Sequence, residues 1–421
     1  MTRTSTPVLR SIRTIRNIPR LKDISWILMR HGLHQVASYL GAPFRLRVFS
    51  WIPGLNQKPA PSQATRMRLA FQELGPIFIK LGQLIANRPD LFPQAYVDEF
   101  AQLEDRVEPV PFDKIRGVIE EELGAPIEEV FLEVSEKPLA SASLAQVHCA
   151  TTRSGDAVIL KVQKPGLQKV IESDLEILGL VAEALAQIGG LGEFDPEGIV
   201  AEVARTVERE VDFNFERHAI ERVRQNFDGD PVLVVPQTYP ALSTKRVLTQ
   251  ERLLGTALRR LDSASLPAEE RRRVARECSR ILFEMVFRDG YFHADPHASN
   301  IMLLHDGRVG FIDFGSMGVF GEELRHRLVK LMRVLIERDF NGVAREVLRI
   351  GRPHGGEFHF FHFSQDLASR LDPYFGLSLS ETDVPALFAT VMSIAREYRI
   401  AIVPGFVTMT RCLALMEGVT C

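Results

Sequence analysis

An aspartate and an asparagine five residues apart, followed by an Asp-Phe-Gly triplet, are the residues of this chain best suited to catalysis. They are Asp295, Asn300 and Asp313. Phosphoryl transfer from a nucleotide needs one carboxylate that positions the nucleophile, and an amide and a second carboxylate that hold magnesium. Two apolar strands joined by a turn at 306–307 would bring Asn300 and Asp313 to the same end of a hairpin. A polar loop that caps a helix is the alternative interpretation.

A lysine inside an apolar strand is the second feature. Lys161 follows Val-Ile-Leu, and because a buried, unpaired ammonium is costly, it needs an acidic partner. Kinases place such a lysine on the nucleotide phosphates and pair it with an acid on a helix. The predicted helix 196–226 offers Glu210, Asp212 and Glu216, the last two on one face at i, i+4. A run of surface acids is the alternative for this helix.

Residues 140–148 read Ala-Ser-Ala-Ser-Leu-Ala-Gln-Val-His and lie where a loop covering the phosphates would be expected. Laid on the kinase pattern Gly-x-Gly-x-x-Gly-x-Val, alanine takes every glycine position. Alanine disfavours the positive φ angles that glycine permits, so we expect a stiffer loop with a different phosphate geometry; a simple β-turn is the alternative. The predicted nucleotide contacts here are Ala140, Ser141, Ala142, Ser143, Ala145 and Val147.

The apolar strand at 246–251 runs into a linker that ends at Gly255. It lies where a hinge between two lobes would offer backbone groups to adenine. Glu251 and Leu253 are therefore further predicted nucleotide contacts.

The periodicity of apolar residues predicts an α+β, bilobal, protein-kinase-like fold with an N-terminal helical extension. We expect three parts: a helical extension over 1–110, a lobe with a sheet and inserted helices over 111–250, and a helical lobe over 251–421. Helices are predicted over 8–50, 63–88, 94–104, 112–124, 167–190, 196–226 and most of the chain from 266. Strands are predicted over 130–139, 144–151, 157–163, 232–236 and 246–251, in addition to the hairpin.

The composition of the 421-residue chain is ordinary for a globular protein, with 45% apolar and 25% charged residues. Residues 1–50 carry nine basic side chains against one acid, so this head can attract an anionic membrane surface. A transit peptide or a solvated helix face are the alternatives. The four cysteines are scattered, which predicts a reducing compartment rather than disulfides. The sequence has no apolar run of the kind that predicts a membrane span. It also has no basic–aromatic pattern of the kind that predicts nucleic-acid binding.

Taken together, the motifs resemble those of the UbiB family of atypical kinases, which are associated with ubiquinone biosynthesis. The hallmark of that family is Lys-x-Gly-Gln ahead of the kinase-like domain, supplied here by residues 80–83. The other motifs match in order, at 140–148, at 161–166, at Glu210, Asp212 and Glu216, and at 293–300.

The resemblance implies roles for particular residues. Lys161 would pair with Glu216, and Asn300 and Asp313 would bind Mg²⁺. The helix of Lys80 and Gln83 would fold across the active site and disfavour protein substrates. The chain departs from the family in having Ala298-Ser299 where Pro-Gly is usual, and in ending soon after Glu417-Gly418, beyond which relatives often continue.

The leading hypothesis is an atypical kinase or ATPase that binds Mg-ATP and supports ubiquinone biosynthesis. Asp295 would be its catalytic base, and its partners would be a nucleotide, quinone precursors or lipids, and a membrane surface reached from the cytoplasm. The alternative is a pseudokinase that senses nucleotide or lipid. A small-molecule kinase of the aminoglycoside or choline type is a third reading, against which the Lys80–Gln83 motif counts. The sequence leaves the oligomeric state open.

Overall fold

A computed structural model describes residues 17–33, 61–86, 88, 92–103, 107–187, 195–261, 267–296, 298–353, 358–375 and 384–402. The chain divides into two compact units. The first unit is Met1–Asp212 with Ser243–Val247, and the second is Phe213–Leu242 with Leu248–Cys421. The predicted division into three parts is not tested by these bounds and stays a prediction.

Helices dominate the first unit. Several begin or end at residues whose chemistry requires it: Ser62 Oγ accepts from Thr65 N–H at the start of one helix, and Gly75, at φ +103°, ends it. The helices are α1 (Ile18–Arg30), α2 (Gln63–Leu74), α3 (Pro76–Ala86), α4 (Gln94–Phe100), α5 (Phe112–Leu123), α6 (Ile127–Val130), α7 (Leu167–Ala186) and α8 (Pro196–Val211).

The helices α1 to α4 share one apolar core with α7 and α8. Ile77 and Phe78 of α3 belong to the same buried cluster as Ile171 of α7 and Val207 of α8. The extension is therefore packed into the unit that carries the predicted sheet.

The sheet of the first unit is antiparallel and carries Lys161. Its strands β1 and β4 flank β3, and β2 pairs with β3. Val147 lies opposite Lys161 in this register. The strands are β1 (Phe131–Val134), β2 (Ala140–Ser141), β3 (Ala145–Thr152) and β4 (Ala157–Gln163).

The second unit combines helices with short strands, including the predicted hairpin. The hairpin is confirmed: β9 and β10 are antiparallel with Phe311 opposite Ile301, so Asn300 and Asp313 flank the same end. The helices are α9 (Phe213–Asn226), α10 (Ala268–Phe283), a π-helix (Glu284–Asp289), α11 (Glu322–Ile336), α12 (Phe340–Ile350), α13 (Phe360–Leu371) and α14 (Val384–Glu397). The strands are β5 (Leu233–Val234), β6 (Val247–Glu251, whose first residue belongs to the first unit), β7 (Gly255–Ala257), β8 (Tyr291–His293), β9 (Ile301–Leu304), β10 (Val309–Phe311), β11 (Met317–Val319), β12 (Gly351–Pro353) and β13 (Ile400–Ile402).

One predicted helix is two helices. The stretch 196–226 breaks at Asp212, whose backbone is extended (φ −103°, ψ 96°), so the prediction that Asp212 and Glu216 share a helix face is wrong. The Gln163 side chain donates a hydrogen bond to the carbonyl of Val211, which satisfies the end of α8 from a distant strand. The two bonded residues are 48 positions apart in sequence, so the periodicity of apolar residues along the chain could not predict this bond.

Other predictions hold only in part. The run 63–88 breaks at Gly75, and the prediction of an almost wholly helical region after 266 misses the pairs β8–β11 and β12–β13. Of the predicted helix 8–50, residues 8–16 and 34–50 lie outside the described residues. No helix in the described part of the chain is long and apolar enough to cross a membrane.

Candidate functional site

A buried histidine holds the backbone of both predicted carboxylate residues in the second unit. His293 ends β8; its Nδ1 accepts from the N–H of Asp295 at 3.1 Å, and its Nε2 lies 2.5 Å from the carbonyl oxygen of Asp313. A backbone N–H can only donate and a carbonyl can only accept, so the ring proton is on Nε2. One neutral imidazole thus fixes two segments that are 18 residues apart in sequence.

Asn300 is tied to the same loop. Its Nδ2 donates to the carbonyl of Asp295 at 3.3 Å, and its own carbonyl accepts from Ile312 N–H at 3.1 Å. Because the amide nitrogen makes the first bond, the amide oxygen is the atom that would hold a cation. Ala298, at the departure from the family pattern, accepts from Arg259 N–H at 3.0 Å.

The Asp-Phe-Gly triplet is held by its own aspartate and by Glu216. Asp313 Oδ1 accepts from Gly315 N–H at 2.9 Å, and Glu216 Oε1 accepts from Phe314 N–H at 3.4 Å. Glu216 is 5% exposed and Phe314 1% exposed. A Cβ on Gly315 would lie 3.2 Å from Asp313 Oδ1, so a side chain there would require this carboxylate to shift slightly.

Side-chain contacts join helix α9, which carries Glu216, to the elements that precede the predicted catalytic loop. The guanidinium of Arg222 on α9 lies 4.1 Å from the ring centre of Tyr291, at the start of β8. Burial raises the pKa of Tyr291. From the π-helix, Arg288 donates to the carbonyl of Asn226 at the end of α9 at 3.1 Å. These contacts fix α9 to the strand that ends in His293.

In the first unit, the two faces of β3 have different uses. Val147 and its partner Lys161 lie on one face, and both are partly exposed. Gln146 and His148 point to the other face, since side chains alternate along a strand, and both are fully buried. The face with Lys161 is therefore the more exposed of the two.

Residues 107–110, which we call the strap, are hydrogen-bonded to the buried face of β3. The Gln146 amide accepts from Val110 N–H at 2.8 Å and donates to Val110 O at 3.1 Å. Its Nε2 also lies 2.9 Å from His148 Nε2, and His148 Nδ1 lies 2.8 Å from the carbonyl of Ser135. Burial lowers the pKa of His148, which is consistent with the neutral ring that these bonds require. Gln146 and His148 of the Gln-Val-His motif thus serve the packing of the strap.

The Lys-x-Gly-Gln motif lies on α3 and is also anchored within the first unit. Lys80 Nζ is 2.8 Å from Glu210 Oε2, near the end of α8. A side chain on Gly82 would come within 2.3 Å of Leu103, so close packing requires glycine there. Gln83 is partly exposed on the same helix. Glu210, one of three acids considered for Lys161, is therefore a partner of Lys80.

The alanine-rich loop differs from a glycine-rich loop as expected. Among the described residues, none of 140–148 has a positive φ angle. Ala142 N–H donates to Ala145 O at 2.8 Å and closes the turn between β2 and β3. The hydroxyl oxygens of Ser141 and Ser143 are buried and, within the described structure, have no hydrogen-bond partner. Ser143 is 5% exposed.

Of the predicted hinge residues, Glu251 is the last residue of β6 and Leu253 lies in the segment between β6 and β7. Glu251 is bound to Gln237 through its backbone N–H at 2.8 Å and its carboxylate at 3.1 Å. Leu253 packs near Gly310, and Gly255 has no room for a side chain beside Leu303. The contact of Glu251 and Leu253 with adenine stays a prediction.

The structure brings together Asp295, Asn300, Asp313 and Glu216 in the second unit. Lys161, Lys80, Gln83 and the alanine-rich loop lie in the first. The pairing of Lys161 with Glu216 and the placement of α3 across the active site stay predictions.

Sequence reasoning missed the positioning roles of His293, Gln146 and His148. The available signals were the two-residue spacing of His293 from Asp295 and the i, i+2 spacing of Gln146 and His148 on a strand.

These elements, a sheet with an internal lysine and a predicted catalytic loop joined to an Asp-Phe-Gly hairpin, are those of a kinase-like protein with an α+β fold. A family model described as an ABC1 atypical kinase-like domain matches residues 102–347. The chain belongs to this family of atypical kinases, which includes the UbiB proteins.

Relatives support the same conclusion. A probable protein kinase UbiB from Marinobacter nauticus is 32% identical over 95% of this chain and 74% of its own length. Its namesake from Pseudomonas aeruginosa is 32% identical over 95% of this chain and 77% of its own. An uncharacterized protein from Synechocystis is 31% identical over 87% of this chain and 91% of its own.

A solved structure is similar in fold. The chain in the complex of Rv3197 with erythromycin from Mycobacterium tuberculosis aligns with a TM-score of 0.55 and 22% identity, over 80% of this chain and 87% of that one. The predicted kinase-like fold class is confirmed.

Proposed function

We propose that this protein binds Mg-ATP and acts as an atypical kinase or ATPase in support of ubiquinone biosynthesis. The observation that carries the proposal is the His293 arrangement, which holds the backbone of Asp295 and Asp313 while Asn300 bonds to Asp295. It assembles the three polar residues of phosphoryl transfer around one loop.

The residues fit the nucleotide and its metal. Asn300 and Asp313 would hold Mg²⁺, because amide and carboxylate oxygens are the hard ligands that this ion prefers. The buried hydroxyl of Ser143, in the turn between β2 and β3, lacks a partner among the described residues, as expected of a group that awaits a ligand. Magnesium, when bound, would neutralise charge on the phosphates.

Each residue has a distinct task in this proposal. Asp295 orients the acceptor hydroxyl or water and receives its proton. Lys161 contacts the phosphates, and Glu216 orients Lys161. His293 holds the loop of Asp295 and the Asp-Phe-Gly triplet in register.

The acceptor we propose is a small molecule, a lipid or water rather than a protein. This follows from the resemblance of the Lys80–Gln83 helix to the family feature that occupies the peptide site. We propose that the basic residues 1–50 are attracted to a membrane surface on its cytoplasmic side. Two of these basic side chains already form ion pairs within the first unit: Arg20 pairs with Asp174, and Arg30 pairs with Glu73.

The proposal is tested by ATP turnover in Asp313→Asn. We expect a loss of about a hundredfold or more, because the variant removes a charge that acts on the metal. Asp306→Asn, in the exposed hairpin turn, is the matched control and should retain turnover. Equal turnover in Asp313→Asn and the unsubstituted protein, both folded, would refute the metal role.

A regulatory pseudokinase is the second candidate. It is favoured by the alanine-rich loop, in which no described residue adopts the positive φ angles of a glycine-rich loop. Tight nucleotide binding without turnover, with anionic liposomes and phenolic quinone precursors present, would support it over the enzyme.

A further inference from the structure

A buried glutamine on β6 donates a hydrogen bond to the backbone beside Asp313. Gln250 is 3% exposed, and its Nε2 lies 3.2 Å from the carbonyl oxygen of Ile312. A carbonyl oxygen can only accept a hydrogen bond, so the amide nitrogen of the glutamine is the atom that faces Ile312. The contact joins two segments that are 62 residues apart in sequence.

The carbonyl of Ile312 belongs to the peptide unit that enters Asp313, and His293 holds the peptide unit that leaves it. The carbonyl oxygen of Asp313 lies 2.5 Å from His293 Nε2, and the N–H of Ile312 donates to the carbonyl of Asn300 at 3.1 Å. Because a peptide unit is planar, fixing the units on both sides of a residue sets its φ and ψ angles. Gln250 and His293 together therefore set the direction of the Cα–Cβ bond of Asp313.

The other end of the Gln250 amide shows that the donated hydrogen bond has a use. Gln250 Oε1 is buried and, in the part of the chain that the structure describes, has no hydrogen-bond partner. A buried acceptor without a partner is unfavourable, and an apolar side chain of similar length, such as methionine, would avoid it. Stability alone would therefore not favour glutamine at this position, whereas the hydrogen bond to Ile312 requires a donor there.

The position of Gln250 also connects the predicted hinge to the strand that leads to Asp313. Gln250 directly precedes Glu251, a predicted adenine contact. Leu253, the other predicted contact of the hinge, packs closely on β10, because a Cβ on Gly310 would lie 2.8 Å from Leu253 Cδ1. The predicted hinge is thus joined at two points to the segment that ends at Asp313.

We propose that Gln250 is a positioning residue for metal binding, whose hydrogen bond to Ile312 orients the carboxylate of Asp313 toward Mg²⁺. In this role Gln250 acts through the backbone and contacts neither the metal nor the phosphates. The inference rests on the proposed function, in which Asn300 and Asp313 hold the ion.

The experiment compares Gln250→Met with the unsubstituted protein in calorimetric titrations with ATP at increasing Mg²⁺ concentration. Loss of a group that orients a metal ligand weakens metal affinity by about tenfold or more. The Mg²⁺ concentration that gives half of the full gain in ATP affinity should therefore rise by that factor. Binding of adenosine, which has no phosphates to meet the metal, should be unchanged.

The matched control is the same substitution at a glutamine that lies on the surface of the second unit. Gln225 is exposed near the end of α9. Gln225→Met should respond to Mg²⁺ as the unsubstituted protein does.

A second readout needs no ligand. Hydrogen exchange followed by mass spectrometry should show faster exchange around Asp313 in Gln250→Met, because the segment loses one of its anchors. The amides to follow are the hydrogen-bonded N–H groups of Ile312, Phe314 and Gly315. The Tm should stay within about 4 °C of that of the unsubstituted protein, since removal of the unpaired Oε1 offsets the lost hydrogen bond.

Two results would overturn the inference. An unchanged Mg²⁺ dependence in Gln250→Met, with or without faster exchange, would exclude the positioning role. A parallel loss of ATP and adenosine binding with a much lower Tm would show a structural role alone. Failure of the unsubstituted protein to bind ATP at any Mg²⁺ concentration would instead refute the proposed function, and the metal role of Gln250 with it.

Discussion

The two units hold their candidate functional residues by different means. In the second unit, one neutral imidazole at His293 binds the backbone of Asp295 and Asp313. In the first unit, ionic and amide side chains serve this purpose: Lys80 pairs with Glu210, and Gln146 binds the strap. In the second unit, His293, which has no proposed chemical role, thus fixes the backbone of two candidate catalytic residues, whereas in the first unit the motif residues Lys80 and Gln146 make the structural contacts themselves.

The motifs of this family contain two kinds of residue, those that position and those that would bind a ligand. His293 lies two residues from Asp295. Gln163, whose side chain donates to the last carbonyl of α8, lies two residues from Lys161. In each case a positioning side chain stands next to a candidate ligand-binding side chain. Substitutions in each unit should separate the two kinds.

The largest effect on stability is expected in the first unit, at Arg20. Its guanidinium binds the fully buried Asp174 through two bonds of 2.6 and 2.8 Å, and this carboxylate raises the pKa of Arg20. Arg20→Ala would leave a buried charge unpaired and lower the free energy of unfolding by about 3–5 kcal/mol. Urea denaturation measures it.

The control for Arg20 is Arg345→Ala, which removes a surface pair with Asp339 at 3.6 Å. That change should lie within about 1 kcal/mol. An equally small effect of Arg20→Ala would show that the first unit does not depend on its buried ion pair.

The next largest effect is expected at His293. His293→Phe keeps the ring but leaves the N–H of Asp295 and the carbonyl of Asp313 without partners, at about 1–3 kcal/mol for each buried group. ATP turnover should fall together with stability, since both backbone segments carry candidate catalytic residues. Turnover per folded molecule that stays normal would contradict the positioning role of His293.

A smaller effect is expected at Lys80. Lys80→Met breaks a pair whose side chains are 15% and 16% exposed, so we expect a loss of about 1–2 kcal/mol. Because Lys80 belongs to the first unit, the dependence of ATP binding on Mg²⁺ should not change. A changed dependence would remove the distinction between the two units.

The smallest effect is a pH dependence at His148. Burial lowers the pKa of His148 in the folded protein below its ordinary value of about 6.5, so the unfolded chain binds the proton first. The contribution of the neutral ring is complete above pH 6.5 and is lost as the pH falls toward the folded pKa.

Thermal unfolding at pH 8 and pH 5.5 tests this dependence. His148→Asn, which keeps a donor for the carbonyl of Ser135 but does not titrate, should lose less stability on acidification than the unsubstituted protein. An equal loss in both would exclude His148 as the source.

Much of the local structure could be predicted from the sequence. The hairpin β9–β10 and the strand of Lys161 follow from short apolar runs and the turn at 306–307. The end of α5 at Gly124, which has φ +71°, follows from the preference for glycine at helix ends. These features depend on residues that are close in sequence.

The features that could not be predicted depend on long-range contacts. The break at Asp212 is stabilised by Gln163 from β4, and Glu210 finds Lys80 from a different helix. Periodicity describes which face of an element is apolar, but it does not identify which distant polar group meets an acid on that face. Only the fold therefore shows which motif residues position the backbone and which remain candidates for binding a ligand.

In the proposed function, Asn300 and Asp313 bind a magnesium ion that carries the nucleotide. The most direct measurement is the dissociation constant for ATP with millimolar Mg²⁺ and with chelator, in the unsubstituted protein and in Asp313→Asn. We predict that Mg²⁺ tightens binding about tenfold or more in the unsubstituted protein and has little effect in the variant. The same response to Mg²⁺ in both proteins would contradict the claim.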